Sequence, residues 1–453
     1  MIKRFIRRVL RIGSGSGPER IPAAVHGIRR DSISYGARKV CEVLAAHGHE
    51  AFVVGGAVRD LMLGLAPKDF DVATDATPEQ VHKLMRRSRL IGRRFRIVHA
   101  VFHNEVVEVS TYRAANPGET EEARVVDEHG RVLRDNVWGN REQDAARRDF
   151  TINALYYEPA TETVLDYHHG VRDLKKRRLR IIGDARTRFR EDPVRMLRAV
   201  RFAAKLDFQI DPGTRAPIRE MTALMENVPA ARVFDEMLKL LLSGHAAACL
   251  RRLRGEGLHH GVLPMLDVIL EQPLGEKFVH LALAQTDERV RADRPVSPAF
   301  LFAALLWHEV LAAWRAREGR GERPVQALYA AMDEVLDLQT DKLSIPRRLT
   351  TTMKEIWSLQ PRFEQRSGKR AFAVLEHPRL RAAYDFLQLR AESGEAPAEL
   401  AAWWRRFMEA GPEERSELLL PAAPGEHKRR RRRRGRRKEP AAGAPPVPAA
   451  QSQ

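Results

Sequence analysis

The sequence predicts an α+β fold, in which a head with a small mixed sheet precedes an all-α half and a disordered basic tail. Between about residues 34 and 167, short apolar runs alternate with helical patterns, as in a layered α+β domain. After about residue 170, strand-like runs nearly vanish and helical patterns continue to about residue 410. The remaining chain is rich in Pro, Ala and Arg and carries too little apolar surface to fold.

The head elements follow in chain order. They are a helix at 38–47, a strand at 51–55, a helix from Val58, a strand at 69–74, a helix from Pro78 and strands at 96–102 and 105–112. The short gap between the last two strands predicts a hairpin. Residues 113–143 are polar and show little periodicity, so we expect a mobile loop there. In the second half, the apolar stripe from Phe189 to Leu206 predicts a helix.

These patterns divide the chain into five predicted parts. They are a basic, flexible N-terminal extension at 1–33, the head at 34–170, a helical neck at 171–242, an all-α body at 243–410 and the Arg-rich tail at 411–453.

Charge is concentrated at the two ends. The net charge of the 453 residues is +18; residues 1–30 hold eight Lys/Arg against one Glu, and residues 428–438 hold ten Lys/Arg and no acid. The rest of the chain is therefore nearly neutral. Polycationic segments bind phosphate backbones through counterion release, and an anionic membrane surface is the competing partner.

Composition excludes several classes of protein. Two cysteines, Cys41 and Cys249, cannot supply a disulfide framework or a thiolate zinc site and indicate a reducing compartment. We find neither a bilayer-spanning apolar run nor the apolar core of a signal peptide, so an integral membrane or exported protein is not expected. The expected location is the cytoplasm.

A glycine pair marks the first candidate site. Gly55 and Gly56 follow an apolar strand and precede a helix, where glycine lets the backbone approach a ligand closely and helix N–H groups can face a phosphate. Arg59, one turn later, can add positive charge. An ordinary tight turn is the alternative for this feature taken by itself.

Two aspartates follow one helix later. Asp69 and Asp71 are two residues apart in a predicted strand, so their carboxylates are expected on one face. Converging carboxylates repel each other unless a cation lies between them, and hard oxygen ligands favour Mg²⁺. A solvated strand end is the alternative, which the neighbouring glycine turn makes less attractive.

These motifs resemble a known family. The segment 52–74 reads FVVGGAVRDLMLGLAPKDFDVAT, and it is followed in order by GRRFRIVH at 92–99, VEVSTYR at 107–113, RRDFTINALYY at 147–157 and REDPVRMLRAVRFAAKL at 190–206. The series is similar to nucleotidyltransferases of the polymerase β superfamily, in the class of bacterial poly(A) polymerases and tRNA CCA-adding enzymes. The likeness covers at least 50–240 and continues at 345–351 and 368–387. It implies a polymerase β-like head and metal-assisted transfer of a nucleoside monophosphate from a nucleoside triphosphate to an RNA 3′-hydroxyl.

The resemblance implies roles for the head residues. Asp69 and Asp71 would hold Mg²⁺, with Mn²⁺ as an alternative, to activate the 3′-hydroxyl and neutralise the leaving pyrophosphate. Two candidates compete for the third carboxylate: Asp149, which we favour as a functional residue, and Glu108 on the adjacent strand. The remaining expectations are phosphate contacts from Gly55, Gly56, Arg59 and Arg148, and supporting roles for Asn153 and Arg198.

The EDPVR segment matches the family's template for the incoming base. Asp192 and Arg195 are three residues apart and are expected on one helix face. A carboxylate can accept from an exocyclic amine while a guanidinium donates to the adjacent ring nitrogen, which selects adenine or cytosine over guanine or uracil. The pair cannot by itself distinguish adenine from cytosine, and a surface ion pair is the alternative.

The sequence thus favours a template-independent poly(A) polymerase that uses ATP. GRRFRIVH is similar to the poly(A) polymerase version of its segment, and a basic tail suits an enzyme that grips varied RNA 3′ ends. A tRNA CCA-adding or A-adding enzyme is the alternative, whereas a non-catalytic RNA-binding protein is disfavoured by the intact carboxylates. We expect a monomer that acts on mRNA, small RNA and structured RNA, promotes RNA turnover, and has RNA-decay machinery and a weakly bound membrane surface as further partners.

Overall fold

The computed structural model describes residues 17–92, 96–114, 124–126, 132–135, 138–262, 273–340 and 343–421. The chain divides into two compact units, one up to Thr350 and one from Thr351. The predicted body at 243–410 is therefore shared between them. The predicted extension before residue 17 and the basic run at 428–438 lie outside the described residues.

An eight-stranded mixed sheet forms the head. Its strands are β1 Glu19–Ile21, β2 Ala51–Val54, β3 Asp71–Thr74, β4 Ser88–Ile91, β5 Ile97–Phe102, β6 Glu105–Thr111, β9 Leu155–Glu158 and β10 Thr163–Asp166; a separate pair is β7 Arg124–Val126 and β8 Val132–Asp135. The order is β1-β10-β9-β2-β3-β6-β5-β4. Only β3 and β6 run parallel among these neighbours, and β5–β6 is the predicted hairpin.

Helices cover the sheet and connect its strands. Those of the head are Ala23–His26, Tyr35–Ala46, Gly56–Met62, Pro78–Leu84, Arg141–Arg147 and Gly170–Lys175. Ser34 caps its helix by accepting from the N–H of Ala37, and Thr77 and Asn140 each begin a helix with a capping box. The core between sheet and helices includes Phe52, Val54, Tyr112 and Tyr156.

Two regions of the head differ from the sequence prediction. Residues Glu19–Ile21 form edge strand β1 against β10 instead of a flexible extension, because Ile21 is buried there and pairs with Val164. The predicted loop at 113–143 contains the β7–β8 pair, and Arg141–Arg147 begins a helix within it. The three missed strands are only three or four residues long, too short to show a hydrophobic period in the sequence.

Helices make up nearly all of the described chain after Lys175. They are Ala185–Glu191, Val194–Lys205, Pro212–Glu220, Ala230–Leu241, Ala246–Gly255, Pro273–Arg291, Pro298–Gly319 and Pro324–Thr340, and then Arg347–Leu359, Gly368–Leu375, Leu380–Ser393, Ala398–Glu409 and Pro412–Leu418. A short parallel pair joins β11 Arg178–Leu179 to β12 Gln209–Ile210. The α+β prediction is therefore confirmed.

Three helical details correct the prediction. The stripe at 189–206 is two helices, because Pro193 disfavours a helical conformation at Asp192, which is extended. Helix Pro412–Leu418 lies within the stretch predicted as disordered tail. Helix Pro298–Gly319 is long and apolar enough to cross a membrane by length and composition, but 61% of its apolar window is buried inside the structure, as in the core helix of a helical body.

Candidate active site

Eleven of the twelve predicted site residues line one open cleft of about 1070 Å³ in the first unit. They are Gly55, Gly56, Arg59, Asp69, Asp71, Arg148, Asp149, Asn153, Asp192, Arg195 and Arg198. The twelfth, Glu108, lies on β6 directly beside the cleft strand β3. Residues separated by more than a hundred positions in the chain therefore converge at one place.

The glycine turn has a backbone that only glycine adopts readily. Gly55 has φ +72° and ψ −125°, and its N–H donates to the Leu155 carbonyl at 3.2 Å. A Cβ at Gly55 would meet the Arg148 Nη1 atom at 3.3 Å, whereas one at Gly56 would meet Arg59 Nη2 at an ordinary 3.6 Å. The turn thus holds the backbone against two guanidinium groups.

The carboxylates converge as expected, but through different elements. Asp69 precedes β3 instead of lying in it, so the predicted strand at 69–74 begins two residues later. Asp71 is the first residue of β3 and stands in register with Glu108 of β6. Burial and then the charge of Glu108 raise the pKa of Asp71 to about 6; Asp69 acts in the same direction and Arg148 opposes it.

The donor set suits a hard cation. Burial and then the charges of Glu108 and Asp69 make the ionised form of Asp71 unfavourable, and a bound cation would offset both effects. Within the described ranges no group of three His, Cys, Asp or Glu side chains forms a metal cluster by itself. Mg²⁺ is commonly held by one or two carboxylates together with substrate phosphates, which is the chemistry these aspartates can provide.

Asp149 has a different environment from the other acids. Its Oδ2 accepts from Arg198 Nε at 2.8 Å and Nη2 at 2.6 Å, and its Oδ1 accepts from Asn153 Nδ2 at 3.0 Å and from the Phe150 N–H at 2.7 Å. Burial alone would raise the pKa of Asp149, but Arg198 and these hydrogen bonds lower it to about 2. Both oxygens are thus committed to protein donors.

Arg59 is buried beneath the glycine turn. Its Nη1 donates to Asn153 Oδ1 at 2.6 Å, its Nε donates to Asp60 at 2.8 Å, and its guanidinium lies 5.1 Å from the centre of the Phe202 ring. Asn153 therefore links Arg59 to Asp149 in one buried network. Arg59 also lines the cleft, and its predicted phosphate contact stays a prediction.

Arg148 has a separate set of partners, Tyr156 and Asp144. Its Nε donates to the Tyr156 hydroxyl at 2.9 Å and its Nη2 to Asp144 Oδ2 at 3.1 Å. Burial opposes its charge, but Tyr156 and Asp144 together raise the pKa of Arg148. A permanent positive charge is thereby held next to the glycine turn.

The proposed base template is arranged differently from the expectation. Asp192 lies at the break between two helices, not on a helix face shared with Arg195. Its Oδ2 accepts from Arg232 Nη2 at 3.0 Å, while Arg195 Nη1 donates to Glu191 Oε2 at 3.0 Å and to the Arg188 carbonyl at 2.8 Å. Both side chains line the cleft, although each is held there by its own partners and not by the other.

The structure adds residues that sequence reasoning missed. Further cleft-lining groups are Ala57, Asp60, Lys68, Arg201, Phe202, Lys205, Leu238, Lys239, Leu242, Ser243, Val290 and Asp293. Guanidiniums of Arg59, Arg198 and Arg201 lie within 5.3 Å of the Phe202 ring centre. Arg195, Arg198, Phe202 and Lys205 recur at helical spacing, a signal that could have placed them on one face.

Comparisons with known proteins give three family matches in chain order. Residues 51–180 match the poly A polymerase head domain, residues 207–270 a probable RNA and SrmB-binding site of polymerase A, and residues 320–438 the polymerase A arginine-rich C-terminus. Poly(A) polymerase I of Salmonella typhi is 46% identical over 408 residues, which cover 88% of each chain. The chain belongs to the bacterial poly(A) polymerase I family.

Family membership confirms the prediction of a template-independent polynucleotide adenylyltransferase. The alternative is more distant: the CCA-adding enzyme of Limosilactobacillus fermentum is 36% identical over 236 residues, 52% of this chain and 53% of its own. The Bacillus stearothermophilus CCA-adding enzyme solved in complex with CTP has a TM-score of 0.54 and 26% identity, and the match covers 86% of this chain and 88% of that chain. The nucleotidyltransferase fold class is thus confirmed.

Proposed function

We propose that this cleft transfers AMP from ATP to RNA 3′-hydroxyl ends, with Asp69 and Asp71 holding Mg²⁺ or, in its place, Mn²⁺. The observation that carries the proposal is the convergence of the partly buried Asp71 with Glu108 and Asp69: burial and then these two charges raise the pKa of Asp71 and favour a bound cation. Such a cation, when bound, supplies activation of the 3′-hydroxyl and neutralisation of the pyrophosphate.

Glu108 is the better candidate for the third active-site carboxylate. It stands in register with Asp71 and its side chain is 47% exposed, so it can reach a cation or hydroxyl. Both carboxylate oxygens of Asp149 already accept hydrogen bonds, from Arg198, Asn153 and the backbone N–H of Phe150. We therefore assign Asp149, Asn153 and Arg198 to positioning the nucleotide site, a revision of the preference derived from the sequence.

Phosphate binding falls to the positive groups nearest the aspartates. Arg148 is held beside Gly55, and Lys68 lines the cleft next to Asp69. Because the Gly55–Gly56 turn lacks side chains, a triphosphate can approach the backbone there. We propose that this corner receives the β- and γ-phosphates of ATP, with Arg59 and Asn153 supporting the turn from below.

The remaining assignments concern substrates and surroundings. We propose that the enzyme is a cytoplasmic monomer, acts on 3′ ends of mRNA, small RNA and structured RNA, and promotes their turnover together with RNA-decay machinery. Its working parts are the head at 34–170, now with β1 added, the neck at 171–242 and the body at 243–410. A membrane surface remains the competing partner of the basic ends.

Product sequencing tests the proposed function. The protein is incubated with each NTP and Mg²⁺, with an unstructured RNA and with a tRNA that lacks its CCA end. We expect a homopolymeric A tract on both RNAs with ATP and little extension with the other nucleotides. Addition of C and A that stops after the CCA end would contradict the proposal.

Base selection depends on Asp192 and Arg195. We expect Asp192→Ala and Arg195→Ala to lower the use of ATP and to narrow its advantage over GTP and UTP. Loss of a buried hydrogen bond to a charged group corresponds to about 10- to 150-fold in discrimination. Competition assays with all four NTPs measure it, with Arg190→Ala as the exposed neighbouring control. An unchanged preference ratio in both variants would place base reading elsewhere.

The basic tail, outside the described residues, is expected to hold RNA between additions. Truncation after Gly425 should spare turnover at saturating RNA, weaken RNA binding and shorten the tracts made per encounter. Each phosphate contact on a single strand contributes about −0.7 to the slope of log affinity against log salt, so the slope should flatten by a few units. Superimposable slopes for full-length and truncated protein would favour a membrane or protein partner.

A further inference from the structure

Beyond β3 the sheet continues through β6 and β5 to its edge strand β4, and four side chains in register form a row across these strands. Asp71 on β3, Glu108 on β6, His99 on β5 and Arg89 on β4 stand in register across four adjacent strands. Partners in register project from the same face of a sheet. The row therefore runs from the proposed cation site to the β4 edge.

The outer members of this row are accessible to a ligand. His99 Nε2 lies 3.8 Å from Glu108 Oε2, and the His99 side chain is 35% exposed. Arg89 is exposed, and no hydrogen bond or ion pair joins its side chain to the part of the chain that the structure describes. Its guanidinium donors are thus available for a phosphate.

Apolar side chains flank this row on the same face. Ile97 pairs with Ile91 on one side and Val101 pairs with Val106 on the other, and Ile91 and Val106 are 40% and 49% exposed. On the opposite face of the same strands the side chains of Val98, Ala100, Val107 and Val109 are buried. A half-exposed apolar surface around His99 and Arg89 offers contacts to bases and riboses as well as to phosphates.

The order of the strands indicates which substrate this surface meets. Gly55 directly follows β2 and Arg148 donates to Tyr156 of β9, so the two groups assigned to the triphosphate lie on one side of β3. Glu108 of β6 and His99 of β5 lie on the other side. In phosphoryl transfer the attacking and leaving oxygens are roughly in line. The RNA 3′-hydroxyl must therefore arrive from the side opposite the pyrophosphate, which is the side of β6, β5 and β4.

We propose that this surface, named here the edge track and formed by Arg89, Ile91, Ile97, His99, Val101 and Val106, binds the last nucleotides of the RNA behind its 3′-hydroxyl. Arg89 contacts a phosphate, His99 positions the terminal nucleotide beside Glu108, and the apolar residues contact bases or riboses. This inference rests on the proposed function, because it takes the site of the cation and of the triphosphate from it.

Steady-state kinetics on a short RNA test the edge track. Arg89→Ala and His99→Ala are compared with Arg20→Ala, an exposed arginine on β1 at the opposite edge of the same sheet, roughly 30 Å away. Six-nucleotide oligoadenylate is the probe, since it is too short to need distant contacts. We expect the KM for RNA to rise about 5- to 10-fold in each track variant, while the KM for ATP keeps its wild-type value. Arg20→Ala should match the unchanged protein.

Direct binding separates this inference from the function on which it rests. The Kd of 3′-deoxy-terminated oligoadenylate, measured without ATP, should rise in Arg89→Ala. The slope of log affinity against log salt should become shallower by about 0.7. An unchanged RNA KM and Kd in both track variants, or an equal loss in Arg20→Ala, would overturn the edge track. Failure of the proposed function has a different signature, since the unchanged protein would then add no AMP to any RNA.

Discussion

Asp71→Asn is expected to lower the rate of AMP addition by about 100- to 1000-fold while leaving RNA binding and the fold near the wild-type state. The asparagine keeps the shape of the side chain but removes the charge that favours a cation between Asp71 and Asp69. Asp69→Asn should have the same effect. Single-turnover AMP addition to oligoadenylate at saturating ATP measures the loss, and the Kd for RNA reports on the intact fold.

A matched control isolates the effect of position. Glu79→Gln also removes one carboxylate charge from the head, but Glu79 is exposed and pairs with Arg96 on the surface. It should leave the rate of AMP addition unchanged, because exposed ion pairs contribute little. Near-wild-type extension by Asp69→Asn or Asp71→Asn would remove these residues from the cation site.

Substitutions of Glu108 and of Asp149 are expected to differ in their effect on stability. Glu108→Gln should reduce AMP addition with an unchanged free energy of unfolding, because its side chain is half-exposed beside Asp71. Asp149→Ala should lower the free energy of unfolding by about 1.5–3 kcal/mol, since it removes the acid nearest to the Arg198 guanidinium and leaves only Glu236, at 3.9 Å. Denaturant titration and single-turnover rates, measured on the same preparations, distinguish the two residues.

Two further measurements test the stabilising part of this prediction. Adding Arg198→Met to Asp149→Ala should recover part of the stability, because the guanidinium that lost its nearest acid is removed as well, but it should not recover the activity. The pKa of Asp149 is held at about 2, below its ordinary value, so its stabilising contribution is complete above about pH 5 and is lost as pH falls toward 2. The stability gap between Asp149→Ala and the unchanged protein should narrow over that range. A gap independent of pH would show that the ion pair is not its cause.

Most of the candidate site residues could be predicted from short sequence motifs, because each motif combines residue types whose chemistry is known. A glycine pair between a strand and a helix is typical of close backbone approach to a ligand, and together with it Asp69 and Asp71 indicate a cation site. The same reasoning missed β1 and the β7–β8 pair. Short strands are stabilised by their neighbours in the sheet and need no strong apolar period of their own.

The sequence by itself determined the fold class and the family, and it named twelve candidate site residues, of which eleven line the cleft and Glu108 lies beside it. Only the tertiary structure decided how those residues are paired. Arg59 with Asn153, Arg198 with Asp149 and Arg232 with Asp192 join positions 94, 49 and 40 residues apart. Such pairs depend on strand order and helix packing, and so does the parallel register that places Glu108 beside Asp71. Our proposal of Glu108 as the third carboxylate rests on that register, because the electrostatic environment of a carboxylate depends on its neighbours in space and not on those in the chain.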